Sequence, residues 1–370
     1  MATKLKVLLL EPFHSGSHQA WAEGLINHTR HEISLISHPG SFWRWRVRGS
    51  ALTMAEKTQE LVNEKGKPDV VLASGMIDLA AWLGFTKRFI GDPPVVLYQH
   101  ENQLTYPVPS GKSPDNSMKF VNWKNMAIAD QIWFNSNFHR ESVKEALPEF
   151  LKNVPDMSHL HLLEQVTEKM QVVPVGVELS EIAFSDTVQN PPLVLWNHRW
   201  EYDKDPEAFI TSLRKLHEEG IQFNFAVTGE SSPQDPDAIK SQFGKLSEFI
   251  FSSGHLPRSK YISLLSKADV VVSSSMHEFF GISIVEALSA GAIPVLPKRL
   301  SYPEIVPEQW HDFVFYQSEE MTERLREVLN DIENWKKNVA GLGEAMRRFD
   351  WVNVIKFYDD KLEEIFIDAC

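Results

Sequence analysis

The sequence predicts an α/β protein of two domains, each a parallel β-sheet flanked by helices. Three observations predict it. The chain has 370 residues, more than one hydrophobic core ordinarily organises. Short β-branched runs alternate with helical stretches along both halves, the pattern of βαβ units. A polar, proline-bearing stretch, Ser185–Pro192, lies between the halves. The expected boundaries are 1–180 for the first domain, 181–192 for a linker, 193–345 for the second domain and 346–370 for a C-terminal segment.

Composition is that of an ordinary globular protein: 43% hydrophobic with 11% aromatic, enough to build both cores. The single cysteine, Cys370, gives no disulfide framework. No run approaches the ~18 apolar residues that a membrane span requires. Met1–Lys6 leads straight into a strand and does not read as a signal peptide. A cytoplasmic protein without membrane contact is the expectation. The net charge of −13 is uneven: residues 1–180 hold 18 Lys+Arg against 19 Asp+Glu (−1), and residues 181–370 hold 19 against 31 (−12). The acidic half would repel a polyanion, while the near-neutral half has room for a local basic patch.

In the first half, Lys6–Leu10 reads as a strand, Glu11–His18 as a loop, and about Gln19 to Asn27 as a helix. Gly16 lets backbone approach a ligand where the loop opens onto a helix N-terminus. No G-x-G-x-x-G is present, so the dinucleotide fingerprint is absent. Glu32–Ser37 is the second strand. After it, Arg44, Arg46 and Arg48 alternate with Trp43 and Trp45. Alternation at this spacing does not suit a core, and it reads as a surface loop. Guanidinium forks bind phosphates and indole faces stack on bases. Pro68–Ala73, Val95–Tyr98 and Ile128–Asn135 are the next strands. His100 falls just past a strand end, where ligands gather on open α/β sheets. Ser136 is placed to cap a helix through Leu147.

The second half restarts with Leu193–Trp196. Arg199 and Lys204 follow that strand, a bidentate fork and a point charge suited to phosphates. Asp203-Lys204-Asp205 also spells D-x-D, but a lysine between the carboxylates suits a phosphate better than a metal. Phe223–Thr228 and the start of Ile250–Pro257 are strands. Asp269–Pro297 organises the chain: strand Val270–Val272, a loop carrying Glu278, a helix capped near Ser283 with Glu286 one turn in, and strand Ile293–Leu296. Phe279 to Ile282 offer backbone N–H groups at that helix N-terminus, an anion site. Trp351–Ile367 reads as an amphipathic tail.

The string EFFGISIVEALSAGAIPV, from Glu278 to Val295, resembles the donor-site signature of the retaining family 4 glycosyltransferases. That resemblance implies the GT-B fold, two Rossmann-like domains facing across a cleft, with donor in the second and acceptor in the first. It implies that Glu278 and His100 contact the sugar and that Glu286 holds the ribose. Arg199 and Lys204 would clamp the pyrophosphate, joined by Phe279, Gly281 and Ile282. Gly254, His255 and Leu256 would line the nucleobase, with Gly16 and Ser17 near the donor phosphate. No metal or other cofactor is expected, because protein cations would neutralise the leaving diphosphate. The last helix of such proteins crosses back onto the first domain.

Three N-terminal strings, EPFHSGSHQAW, HPGSFWRWRVRGSA and YQHENQLTYP, together resemble the amino-terminal domain of the tRNA-queuosine mannosyltransferases. This implies transfer of mannose from GDP-mannose to the cyclopentene-diol of queuosine at the wobble position of tRNA-Asp. The acceptor-side residues implied are His14, Trp43, Arg44, Trp45, Arg46, Arg48 and Asn102. Two other readings stand beside it: a family 4 transferase with a glycan or small-molecule acceptor, and a non-catalytic sugar-nucleotide or tRNA-binding protein. The presence of Arg199, Lys204, Glu278 and Glu286 together favours an enzyme. No carboxylate is placed as a nucleophile, so front-face displacement is expected.

Overall fold

The computed structural model describes residues 4–108, 111, 113, 115–229, 242–317 and 320–369. The chain forms two compact units: Met1–Val177 with Trp351–Cys370, and Glu178–Asp350. Among the described residues no helix is long and apolar enough to cross a membrane.

The first unit is built on six parallel strands: β1 (Lys6–His14), β2 (Glu32–Pro39), β3 (Val70–Ser74), β4 (Val95–Gln99), β5 (Gln131–Phe134) and β6 (Met170–Val172), in the order β2-β1-β3-β4-β5-β6. The helices are α1 (Gly16–His28), α2 (Trp43–Lys65), α3 (Leu79–Ile90), α4 (Asn116–Ile128), α5 (Asn137–Lys152) and α6 (Leu163–Glu168). Strand β1 lies inside the sheet, next to the edge strand β2, with Leu8 opposite Ser34 on one side and Val71 on the other. Leu8, Leu10, Val71, Leu97 and Ile132 are buried with Trp82 and Trp123 in one core. Strands covered on both faces read as continuous apolar runs, which is why they were visible in the sequence.

Two expectations are corrected here. Strand β1 does not stop at Leu10: Glu11 pairs with Ser37 and, past an irregularity, His14 pairs with Pro39. The expected loop is therefore mostly strand, and α1 starts at Gly16, whose φ of 52° makes the turn. The arginine–tryptophan stretch is not a loop but the first two turns of α2. Its period-2 alternation hides a helical one: Val47, Ala51, Met54, Ala55 and Thr58 are buried at i, i+4, i+7, i+8 and i+11. The core face of the helix thus decides the conformation.

The last helix, Trp351–Ala369, closes the first unit. Trp351 packs where Gly24 and Gly176 leave room; a Cβ on either would lie 2.0 Å or 2.3 Å from its ring. Trp21 donates to the Tyr358 hydroxyl (3.1 Å), which donates to the Pro174 carbonyl (3.0 Å). Residues 346–349, expected with this segment, form a separate 3-10 turn in the second unit.

The second unit carries β7 (Leu193–Trp196), β8 (Asn224–Val227), β9 (Ile250–Ser253), β10 (Val270–Val272), β11 (Ile293–Pro297) and β12 (Phe315–Tyr316), all parallel, in the order β12-β11-β10-β7-β8-β9. Helix α7 (Pro206–Glu218) has Pro206 in its first turn and Asp205 as its cap, accepting from the Ala208 N–H at 3.2 Å. Helices α8 (Arg258–Leu265) and α9 (Ile282–Ser289) follow β9 and β10. Residues 185–192 belong to this unit. The buried Asp269 carboxylate accepts from the N–H groups of Leu193 (2.7 Å) and Gln189 (3.1 Å), tying that stretch to the foot of the sheet.

Candidate active site

In the second unit the chemistry collects past the carboxyl ends of the two neighbouring strands β7 and β10. Lys204 is buried, and its ammonium lies 2.6 Å from the His277 carbonyl, 3.1 Å from the Glu278 carboxylate and 3.4 Å from Asp203. The loop holding it is fixed from behind: Ser274 donates to the Lys204 carbonyl (2.7 Å) and accepts from Trp196 (3.0 Å). Burial is the largest influence and pushes the Glu278 carboxyl up, but the charge and hydrogen bond of Lys204, with the smaller effects of His198 and Arg199, together hold the group below the usual carboxylate range. His198 lies two residues past β7, and its buried Nε2 has no hydrogen-bond partner among the described residues. Burial, with the Lys204 charge second, lowers its pKa to about 3, so the imidazole is neutral at pH 7. His277, lowered to about 4 by the same two causes, is neutral as well.

Glu286, the fifth residue of α9, is buried and paired with the Arg258 guanidinium. Burial raises its pKa and Arg258 opposes the rise. Arg258 also donates to the Glu178 carbonyl at 3.2 Å. Asn197 donates to Ser283 O (2.8 Å) and the Tyr261 hydroxyl (3.0 Å), joining the end of β7 to the start of α9. Helix α9 is capped by Gly281, not near Ser283 as expected. Gly281 has φ 104°, a left-handed conformation that glycine adopts without strain. The flanking Phe279 is buried with its ring on His277 (4.3 Å), and Ile282 is half-buried. Arg199 is exposed, 3.6 Å from Glu201. Gly254 is buried with φ 88° and donates to Val227 O at 2.9 Å; His255 is exposed and Leu256 half-buried on the loop that leads into Arg258. The two aspartates of the D-x-D string do different things: Asp203 is buried beside Lys204, and Asp205 caps α7.

In the first unit, His100 meets Glu11 and His18. His18 Nδ1 is 3.0 Å from the fully buried Glu11 carboxylate, whose other oxygen accepts from the Phe13 N–H at 2.9 Å. The His18 and His100 rings are 4.3 Å apart, and His100 packs on Trp21 and Tyr98. Burial, then the neighbouring imidazoles, lower the His100 pKa well below its usual value. The polar atoms of Glu11, His18 and His100 converge within 4.8 Å, a set able to hold a divalent cation. Gly16 and Ser17 are exposed at the start of α1, and His14 Nε2 lies 3.4 Å from Glu23.

The acceptor-side residues divide. Trp43 is half-buried on a small apolar cluster of Val47, Met76, Met118 and Val121. Arg44 is exposed over the Trp43 ring at 5.2 Å, Trp45 is exposed and Arg46 is half-buried. Arg48 is tied to Asp115 and donates to Ser117 Oγ at 2.6 Å, so it braces α2 against the start of α4. Asn102 is buried, and its amide closes a turn by accepting from the Thr105 N–H (2.9 Å) and donating to Thr105 Oγ1 (3.0 Å).

These two sites sit on a chain with clear relatives. Residues 6–177 match the family model described as tRNA-queuosine alpha-mannosyltransferase N-terminal, and residues 180–345 match glycosyl transferases group 1. A tRNA-queuosine alpha-mannosyltransferase of Drosophila melanogaster is 34% identical over 317 residues, 83% of either chain. The chain belongs to the tRNA-queuosine alpha-mannosyltransferase family. It is a glycosyltransferase. A GDP-mannose:cellobiosyl-diphosphopolyprenol alpha-mannosyltransferase of Xanthomonas oryzae pv. oryzae is 21% identical over 204 residues, 53% of each chain. Among solved structures, sucrose-phosphate synthase from Thermosynechococcus elongatus superposes with TM-score 0.74 at 13% identity, covering 99% of this chain and 100% of its own. The starch synthase IV catalytic domain from Arabidopsis thaliana gives 0.72 at 14%, covering 99% and 100%. They establish the two-domain GT-B fold for this family member.

The residues brought into direct contact, Lys204 and Glu278, were both singled out in the sequence. Several that build the family member's sites were not: Glu11, His18, Asn197, His198 and Arg258. His198 and Asn197 carried one available signal, their place just past a strand end. Arg258 carried none, because an arginine at a helix start resembles any solvated surface residue.

Proposed function

We propose that the protein transfers mannose from GDP-mannose to the cyclopentene-diol of queuosine at the wobble position of tRNA-Asp, with retention at the anomeric carbon and without a metal or other cofactor. The supporting observation is the buried Lys204–Glu278 contact past adjacent strand ends. In this reading the cation meets the departing diphosphate and the carboxylate meets the sugar. The queuosine acceptor is supported by the family and its Drosophila relative, and a cytoplasmic site of action is part of the proposal.

In this reading Arg199, Lys204 and the α9 N-terminus around Phe279, Gly281 and Ile282 neutralise the departing diphosphate. Glu286, oriented by Arg258, holds the ribose hydroxyls. Glu278 and His100 hold the sugar; Gly254, His255 and Leu256 face the base; Gly16 and Ser17 approach the phosphate. His14, Trp43, Arg44, Trp45 and Arg46 face the RNA. The anomeric C–O bond to phosphate breaks and the bond to the acceptor oxygen forms on the same face. The acceptor proton passes to the leaving phosphate oxygen, so GDP departs with it.

The test is a transfer assay with queuosine-containing tRNA and GDP-mannose, followed by digestion and mass analysis of the nucleosides. A hexose added to queuosine is expected, and the Glu278→Gln variant should lose turnover. Transfer from a uridine-linked sugar alone would remove GDP-mannose as the donor. Full turnover by Glu278→Gln would remove the catalytic assignment.

A further inference from the structure

Phe42 and Trp45 are two aromatic side chains that the fold holds out in solvent, 79% and 63% exposed. Neither is there by default. Phe42 precedes α2 with φ 53° and ψ 48°, a left-handed conformation that costs a bulky L-residue on the order of 1 kcal/mol or more. Its carbonyl accepts from the N–H groups of Trp45 (2.8 Å) and Arg46 (3.0 Å), so the strained residue is locked by the helix it starts. Trp45 lies on its own helix: three atoms of its six-membered ring would sit 2.7–2.8 Å from a Cβ at Gly49. Nearly equal distances to three ring atoms mean that one face of the indole covers Gly49. With the side chain 63% exposed, its other face is open.

The surroundings are cationic. Arg44 stacks over Trp43 at 5.2 Å and is exposed, and Arg46 is half-buried one turn from Phe42. The first turn of α2 holds no acidic residue. Among the described residues, the carboxylate paired with this arginine series is Asp115, and it is taken up by Arg48. An open π-face beside guanidinium groups that make no ion pair among the described residues matches nucleotides, with bases on the rings and phosphates on the arginines.

We propose that Phe42 and Trp45 form a stacking surface for unpaired nucleotides of the RNA acceptor. This rests on the RNA-acceptor reading above and deepens it, because it names the two side chains that take the bases of the unpaired loop. A paired helix keeps its bases stacked inside, whereas a loop can splay them onto aromatic faces.

The experiment measures binding of the full chain to two RNAs of equal length and charge, a stem with an unpaired seven-nucleotide loop (roughly the size class of such recognition elements) and a fully paired duplex. The wild type should prefer the loop. Phe42→Ala and Trp45→Ala should each weaken loop binding about tenfold, leave duplex binding alone, and leave the slope of log affinity against log salt unchanged, since no cation is lost. Trp45→Phe should retain most of the affinity. Both side chains are exposed, so unaltered melting temperatures are the folding control. Loop affinity within twofold of wild type in both alanine variants would overturn the proposal, as would equal wild-type affinity for loop and duplex or no RNA binding at all. Its failure is separable from failure of the transfer reading. Mannose transfer to tRNA with no effect of the alanine variants sinks the stacking surface alone. Loop preference that the alanine variants abolish, without any transfer, supports the surface and sinks the reaction.

Discussion

The Lys204 ammonium lies 3.1 Å from the Glu278 carboxylate, and each residue comes from the end of a different, directly paired strand. The contact is buried, with side-chain exposures of 7% and 19%. Removing one partner leaves the other charge uncompensated. Lys204→Met should therefore destabilise the protein by about 3–5 kcal/mol. Adding Glu278→Gln to it should recover part of that loss, because no lone carboxylate remains. Urea unfolding of the two single variants and the double variant measures the coupling, and strictly additive effects would contradict it.

Arg258 sets the state of Glu286. With the guanidinium removed, burial acts unopposed and the carboxyl rises further above its usual range. Arg258→Ala should weaken GDP binding, read by calorimetry, by about tenfold, the scale of one lost charge-assisted contact. Lowering the pH from 8 to 6 should weaken it more in the variant than in the wild type. Unchanged affinity would show that Glu286 does not depend on Arg258.

The two lowered imidazoles predict a pH dependence. His198 and His277, at about 3 and about 4, stay neutral in the folded protein while an unfolded chain takes up protons below about 6.5. The unfolded state then binds more protons, so stability is complete above that pH and falls as pH drops toward 4. At pH 5 each group contributes a loss of about 2 kcal/mol. Melting temperatures between pH 7.5 and 5 should fall steeply for the wild type and less steeply for His198→Asn. Parallel curves would exclude His198 as a source.

Arg44 and Arg48 should behave differently although the sequence treats them alike. Arg44→Ala should reduce the slope of log RNA affinity against log salt by about 1, the signature of one lost phosphate contact. Arg48→Ala removes an exposed pair with Asp115 and should cost stability of at most about 1 kcal/mol with little change in that slope. A salt series on both variants, with melting curves, checks the division.

Much of the second unit was legible because its strands are short, buried on both faces and bounded by polar turns. Leu193–Trp196 and Val270–Val272 appear as read. Lys204 and Glu278 were legible as chemistry at strand ends. What escaped notice was relational. The α2 helix was hidden because its exposed face alternates while its buried face repeats at helical spacing, and the eye follows the more unusual residues. Glu11 looked like a loop residue because a carboxylate on a buried strand contradicts the apolar pattern, and only His18, seven positions on, explains it. Arg48 and Asn102 look free in one dimension, but each is held by a partner, Asp115 and Thr105.

The docking of Trp351 against Gly24 and Gly176 has a consequence for synthesis. The first unit includes residues on both sides of the second, and 173 residues (178 to 350) separate its two parts. At ordinary translation rates of about 5–20 residues per second, the early unit waits roughly ten to thirty-five seconds for its closing helix. The second unit is continuous and waits for nothing. The part of the chain made first is thus completed last, and in the interval the surface that Trp351 and Tyr358 will cover is open to water and to chaperones.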